Sequence, residues 1–252
     1  MKVRLTQQER AYIAGKGHQT LLEDDSNDSK DARSYLIKER KLNLKTIKNY
    51  KIGYVPSRYR HDWSERIIMP LYDPFGNLKV LTSRKHRAKD KNEMPHLHEE
   101  FNKKFYLYGL NVAAPYIRKK NKVIIVEGQF DTMRLHSIGL KATVGVLGSS
   151  FTPEHACLLR RYCSNIIFMF DNDTAGLKMF KKTFDIDRKF DLSENYKFCF
   201  SRVVLPKSKN DSKMDPDNFL NKHSVNDLVE QIQDAELNPT TEQGLQRMIS
   251  KL

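Results

Sequence analysis

Three cysteines in 252 residues, Cys157, Cys163 and Cys199, are an odd number with no CxxC spacing, which excludes a disulfide framework and a structural zinc site. Long apolar runs are missing too. No stretch approaches the roughly 20 residues of a membrane-spanning helix, and the start MKVRLTQQERAYIAGKG carries charges where a signal peptide has its apolar segment. A cytosolic location with no membrane partner is the expectation. Acidic residues are in deficit, 31 Asp and Glu against 44 Lys and Arg, and the formal net charge is +13. Such an excess points to a polyanion, nucleic acid or an acidic surface; a basic domain whose charge only aids solubility is the bland alternative. With 39% hydrophobic residues the chain is not disordered, and its length suits one large domain or two small ones.

Residues 1 to 30 read as polar, broken by the loop LEDDSNDSKD. From Asp31, DARSYLIKERKLNLKTIKNYKIGYVP predicts a capped amphipathic helix, a short second helix and a strand stopped at Pro56. ERIIMPLYDPFGNLKVLTSR predicts a β-hairpin turning at DPFGN, and the basic stretch 84 to 104 a loop or groove lip. After Asn121 the pattern becomes regular. KVIIVEG, KATVGVLG, NIIFMF and YKFCFSRVVLP read as strands, separated by helices over QFDTMRLHSIG, TPEHACLLRRYC and TAGLKMFKKTFDI. Gly139 closes the first helix, and Thr152 caps the second with Pro153 at its first position. Alternation of this kind predicts a parallel sheet with right-handed crossovers.

The stretch IIFMFDNDTAG shows what that sheet carries. An almost uninterrupted apolar run, suited to a strand covered on both faces, ends in Asp171 and Asp173. In open α/β sheets the C-terminal edge of the strands is where ligands bind. Glu127 and Asp131 follow the first strand, and Asp215 and Asp217 follow the last, so six carboxylates issue from three connections. In a chain this basic they need a counter-charge. Mg²⁺ or Mn²⁺, held by a few carboxylates and water while engaging phosphate oxygens, supplies it. Taken singly, each acidic residue also reads as a turn former or a helix cap; here Asp171 and Asp173 are taken as metal ligands and not as caps.

The ordered set VEGQFD, LGSSFT, MFDNDTAG, LP and DPDNFL resembles the Toprim domain of topoisomerases and primases, and more closely the catalytic core of bacterial-type DNA primases. YLIKERKLNLKTIKNYKIGYVP, ERIIMPLYDPFGNL and FNKKFYLYGL match, in order, the segments that precede Toprim there, so the resemblance covers about residues 32 to 222. It implies an α/β fold: a Toprim-type parallel sheet flanked by helices, preceded by a basic α+β subdomain. The boundaries it suggests are 1–116 for that subdomain, 117–206 for Toprim and 207–252 for an acidic DPD loop with a short helical segment. By the same likeness Glu127, Asp171 and Asp173 are catalytic and bind metal, and Asp131, Asp215 and Asp217 are further metal-binding positions. Arg66 and Lys103 match basic positions associated with the template path and incoming nucleotide, and Arg84 corresponds approximately to another. Lys85 and Arg87 join Arg84 as nucleic-acid contacts because the three crowd one segment.

Departures are visible. The family has Gly between the two aspartates and an aromatic residue after EG, where Asn172 and Gln129 stand; Asn tolerates a left-handed backbone better than most residues. A family Lys before FNKK is not matched by MPHLHEE, where His98 reads as a metal ligand or as an exposed loop histidine. No cysteine precedes Cys157 to make a zinc ribbon, about thirty residues remain for a helicase-binding module, and no GxxxxGK[ST] pattern occurs. A fragment or a compact stand-alone core fits. The implied activity is template-directed synthesis of short RNA primers on single-stranded DNA from ribonucleoside triphosphates, using Mg²⁺ or Mn²⁺, with a replicative helicase or separate start-site factor as partner. Aromatic residues Tyr59, Trp63 and Phe105 are candidates to stack bases, with core packing as the alternative and weighed more heavily for Phe105. Two other readings stay open: a Toprim nuclease with water as nucleophile, and a non-catalytic nucleic-acid-binding replication or regulatory factor.

Overall fold

The computed structural model describes residues 4–59, 62–87, 94–206 and 214–237. Two compact units divide the chain, Met1–Asn102 and Lys103–Leu252. No described helix is long and apolar enough to cross a membrane.

The first unit begins with a helix that the polar reading of residues 1 to 30 missed, α1 (Gln7–Glu23). Its start signal was present: the Thr6 hydroxyl accepts from the Glu9 N–H at 3.2 Å, and the Glu9 carboxylate accepts from the Thr6 N–H at 2.8 Å. Its buried positions are Ala14, Gly17, Thr20 and Leu21, three of them too small to give an apolar periodicity. After α2 (Asn27–Ser34) and α3 (Leu44–Asn49) come β1 (Gly53–Val55), β2 (Arg66–Tyr72), β3 (Leu78–Lys85) and β4 (His96–His98). These strands form one antiparallel sheet in chain order. The expected hairpin is β2–β3, its turn fixed by Asp73 Oδ1 accepting from the Phe75 and Asn77 N–H groups at 3.0 and 2.9 Å. Part of the segment read as loop is strand β4; residues 88–93 lie outside the described residues. Trp63, Ile68, Leu81, Leu97 and Ala14 form a core cluster. Beside it the buried Glu99 accepts from Arg10 through Nε and Nη2, at 2.8 and 2.7 Å, and from the Leu81 N–H at 2.7 Å.

The second unit is the parallel layer that the strand–helix alternation predicts. After α4 (Leu110–Lys120), strands β5 (Lys122–Val126), β6 (Thr143–Gly145), β7 (Asn165–Phe168) and β8 (Cys199–Arg202) are joined by α5 (Gln129–Ser137), α6 (Pro153–Leu159), α7 (Thr174–Phe190) and α8 (Leu192–Tyr196). The sheet order is β6-β5-β7-β8, all pairs parallel. Both faces are covered. Val123, Ile125, Ile166, Phe168 and Phe170 face one cluster with Phe151, Phe180 and Phe200, whereas Ile124, Val126, Ile167 and Met169 face another with Leu135 and Phe219. Rings meet edge-on around Phe168, with centroids 5.3 Å from Phe151 and 5.7 Å from Phe180. Helices α9 (Pro216–Lys222) and α10 (Val225–Leu237) complete the second face. Thr152 caps α6 by accepting from the His155 N–H at 3.3 Å, and Gly139 turns with φ +97° after α5.

Two predictions follow from packing. A Cβ on Gly53 would lie 2.7 Å from the Gly17 carbonyl carbon, whereas one on Gly17 would meet nothing closer than 3.6 Å. Gly53→Ala should therefore cost about 1–3 kcal/mol in chemical denaturation, and Gly17→Ala, inside α1, should be neutral or stabilising. The second concerns His136, whose Nε2–H donates to the Thr143 carbonyl at 3.0 Å and whose pKa burial pushes down to about 4. Between that value and the unfolded pKa of about 6.5 the unfolded chain binds a proton that the folded chain does not. Stability is thus fully present above the unfolded pKa and falls as pH drops, by up to about 1.4 kcal/mol per unit from this group. A pH series of unfolding midpoints should flatten over this window in His136→Gln; an unchanged slope would contradict the assignment.

Candidate active site

In the order β6-β5-β7-β8 the chain leaves β5 toward one side and returns to β7 on the other, so the connections diverge at the ends of β5 and β7. Such a switch point opens a crevice beyond the strand ends. Register sets what stands there: Ile125 pairs with Phe168, and the Met169 N–H donates to the Ile125 carbonyl at 2.8 Å. Glu127 and Asp171 then emerge side by side, and the Asp171 N–H donates to Glu127 Oε1 at 3.1 Å. Asp171 is itself buried. Gly176 makes room, because a Cβ there would overlap the Asp171 carbonyl oxygen and approach Glu127 Oε1 to 3.0 Å.

The structure therefore brings Glu127, Asp171 and Asp173 to one edge, as expected. It corrects the choice between ligand and cap. Asp173 is the N-cap of α7, its Oδ1 accepting from the Gly176 N–H at 2.8 Å, and Asp215 caps α9 by accepting from the Asn218 N–H at 2.7 Å. Asp131 Oδ2 accepts from the Gly128 N–H at 3.1 Å at the start of α5. The positive ends of α5, α7 and α9 thus face the carboxylates and offset part of their mutual repulsion. Asp217 is paired with a cation, its Oδ1 3.3 Å from Arg134 Nε. Asn172 is not left-handed; its Nδ2 donates to the Leu205 carbonyl and its N–H to the Met214 carbonyl, both at 2.7 Å. Arg134 and the side chain of Asn172 were missed, since neither contact follows a spacing in the sequence.

Among the described residues, no three His, Cys, Asp or Glu side chains form a ready-made metal cage. Hard oxygen donors fit Mg²⁺ or Mn²⁺ all the same, because such an ion keeps several waters and takes one or two carboxylates plus substrate phosphates. Glu127, Asp171 and the oxygen of Asp173 that does not cap α7 are the carboxylate oxygens at this edge whose chemistry suits such an ion.

The basic candidates divide in character. Arg66 is buried, with Nη2 donating to the Met94 carbonyl at 3.0 Å. On β3, Arg84 Nη1 lies 3.3 Å from His96 Nε2, and Lys85 Nζ lies 3.6 Å from Glu65. Arg87 bridges Glu39 at 2.7 Å and Asp31 at 3.3 Å, carboxylates that hold its guanidinium even more firmly protonated than usual. Lys103 is in the other unit, where its carbonyl accepts from His155 Nε2 at 3.1 Å. His98 is exposed on β4, its Nδ1 2.8 Å from the Glu99 carbonyl. The aromatic weighting is reversed: Trp63 is wholly buried in the core, whereas Phe105 and Tyr59 are 52% and 45% exposed.

Residues 124–220 match the Toprim-like family model. The DNA primase of Borreliella burgdorferi is 27% identical over 198 residues, covering 66% of this chain and 38% of that protein. The DNA primase of Clostridium acetobutylicum is 28% identical over 249 residues, covering 84% of this chain and again 38% of the relative. Residues 124–220 are thus similar to a Toprim-like domain, and the chain is similar to bacterial DNA primases. It spans about two fifths of the length of those two primases. The fold agrees: a DnaG primase catalytic domain solved bound to single-stranded DNA superposes with TM-score 0.73 at 22% identity, covering 91% of this chain and 82% of that one. The Toprim-like match runs from Ile124 in β5 to Leu220 in α9, taking in β6, β7, β8 and all six acidic candidates.

Changing the edge should separate packing from charge. Gly176→Ala should lower stability by about 1–3 kcal/mol in denaturant. Asp171→Asn should hold or raise the metal-free melting temperature by relieving repulsion, and Asp173→Asn, which keeps a good cap, should change it little. A neutral Gly176→Ala, measured by the same melts, would contradict the packing described.

Proposed function

We propose that this chain is the catalytic core of a DNA primase, making short RNA primers on single-stranded DNA from ribonucleoside triphosphates with Mg²⁺ or Mn²⁺. The observation that carries the reading is the pairing of Glu127 with Asp171 at the switch point, with Asp173 one residue beyond. Glu127, Asp171 and Asp173 would hold a divalent ion there, which would supply acidification of the attacking 3′-hydroxyl and neutralisation of the triphosphate charge. The chain's own contribution is placement. The Asp171 N–H orients Glu127, the cap to Gly176 fixes the Asp173 carboxylate, and the covered faces of β5 and β7 hold both strand ends rigid. Arg84 and Lys103 are the better candidates for phosphate contact, because Arg66 is buried and Arg87 is held by two carboxylates.

Labelled products from single-stranded DNA, ribonucleotides and Mg²⁺ or Mn²⁺ test the reading. Short oligoribonucleotides are the expected result, lost on Asp171→Asn or Asp173→Asn. Shortened DNA would establish the nuclease, and no change would establish a binding factor. Affinity for single-stranded DNA should also fall with salt, and Arg84→Ala should reduce the slope of log K against log salt by about one. An anisotropy titration that stays flat across salt would contradict a phosphate-led interface.

A further inference from the structure

The segment after β8 that carries Asp215 and Asp217 is fastened at four points within the Lys103–Leu252 unit. The Asn172 N–H donates to the Met214 carbonyl, and Asn172 Nδ2 donates to the carbonyl of Leu205, a wholly buried residue. Phe219, the fourth residue of α9, is buried in the core cluster that the helix covers. Asp217 on α9 meets Arg134 on α5 across 3.3 Å, with side chains 21% and 13% exposed.

Building on the metal-edge reading above, we propose that Asp217, Arg134 and Asn172 are a clasp that positions Asp215 and α9 against the sheet edge, and that Asp217 is a positioning residue and not a metal ligand. A dication binding Asp217 would have to displace the guanidinium or sit beside it, and a like charge at that range opposes binding. The pair is also shielded, so its attraction is less damped by solvent than that of an exposed pair. Asn172 adds what a glycine lacks: an amide donor for the Leu205 carbonyl, which would otherwise be a buried acceptor without that bond. The residue between the two aspartates thereby ties the loop after β7 both to the exit of β8 and to the residue preceding Asp215.

The two roles of Asp217 predict opposite signs, which makes the test direct. Melting of metal-free protein and Mn²⁺ titration read by melting are compared for wild type, Arg134→Met, Asp217→Asn and the double variant. The clasp predicts that both single changes lower the melting temperature, that the double is no worse than the lower single, and that the Mn²⁺ midpoint moves in the same direction in both, by less than about tenfold. A metal ligand predicts an Asp217→Asn midpoint raised by about tenfold or more and an Arg134→Met midpoint lowered, since a competing cation is gone. Opposite shifts, or additive losses of stability, overturn the proposal. Arg134→Lys keeps the charge and should lie near wild type in melting; a loss equal to that of Arg134→Met would also overturn it. Asn172→Gly should lower the melting temperature, and equality with wild type would remove Asn172 from the clasp. The metal-free melts decide the clasp even if wild type proves to bind no Mn²⁺, the result that would defeat the metal reading itself.

Discussion

The parallel register of β5 on β7 is the constraint from which the site follows. With Ile125 opposite Phe168, Glu127 and Asp171 leave the sheet side by side, and a backbone N–H joins them. A slip of one residue would exchange the two faces of a strand, moving Phe168 out of its aromatic cluster and Ile167 into it. The apolar packing on both faces therefore fixes the positions of charges that would otherwise repel one another. Three helix N-termini and the close approach at Gly176 then hold the carboxylates without any ion.

Much of this was legible because it is periodic. Uninterrupted apolar strands, Thr152 before Pro153, and acidic residues at strand ends each have a local signature, and together they predicted the parallel sheet and its acidic edge. What stayed hidden depends on contacts distant in sequence. Helix α1 buries small residues, so its apolar stripe is faint despite its capping signal. Trp63 stands between HD and SE yet is core, whereas Phe105, followed by YLY, is 52% exposed, an inversion made by tertiary packing. Taking Asp173 as a ligand and not a cap overlooked that a carboxylate has two oxygens, of which the Gly176 N–H engages only one. Arg134 and Asp217 lie on different helices, and no spacing rule joins them.

The count of 44 Lys and Arg overstates the cations open to a polyanion, because many are held by the carboxylates that the net charge of +13 already subtracts. In the Met1–Asn102 unit, Arg10 is held by Glu99, Arg58 by Asp24, and Arg87 by Asp31 and Glu39. Exposed pairs such as those of Arg87 are screened by solvent and contribute little to stability. The Arg10–Glu99 pair is different, since breaking it would leave a buried carboxylate uncompensated. Charge count thus suggests a partner class, whereas the structure shows which arginines are spent on the fold.

The central claim is that the ends of β5 and β7 form a divalent-metal site. Direct Mn²⁺ binding, followed by the loss of the free-ion electron paramagnetic resonance signal on titration with protein, tests it on wild type and Asp171→Asn without any nucleic acid. The account predicts that wild type takes up Mn²⁺ and that the variant binds about tenfold more weakly or worse, in line with the loss of a charged ligand. Equal uptake by the two proteins would place the metal elsewhere and contradict the account.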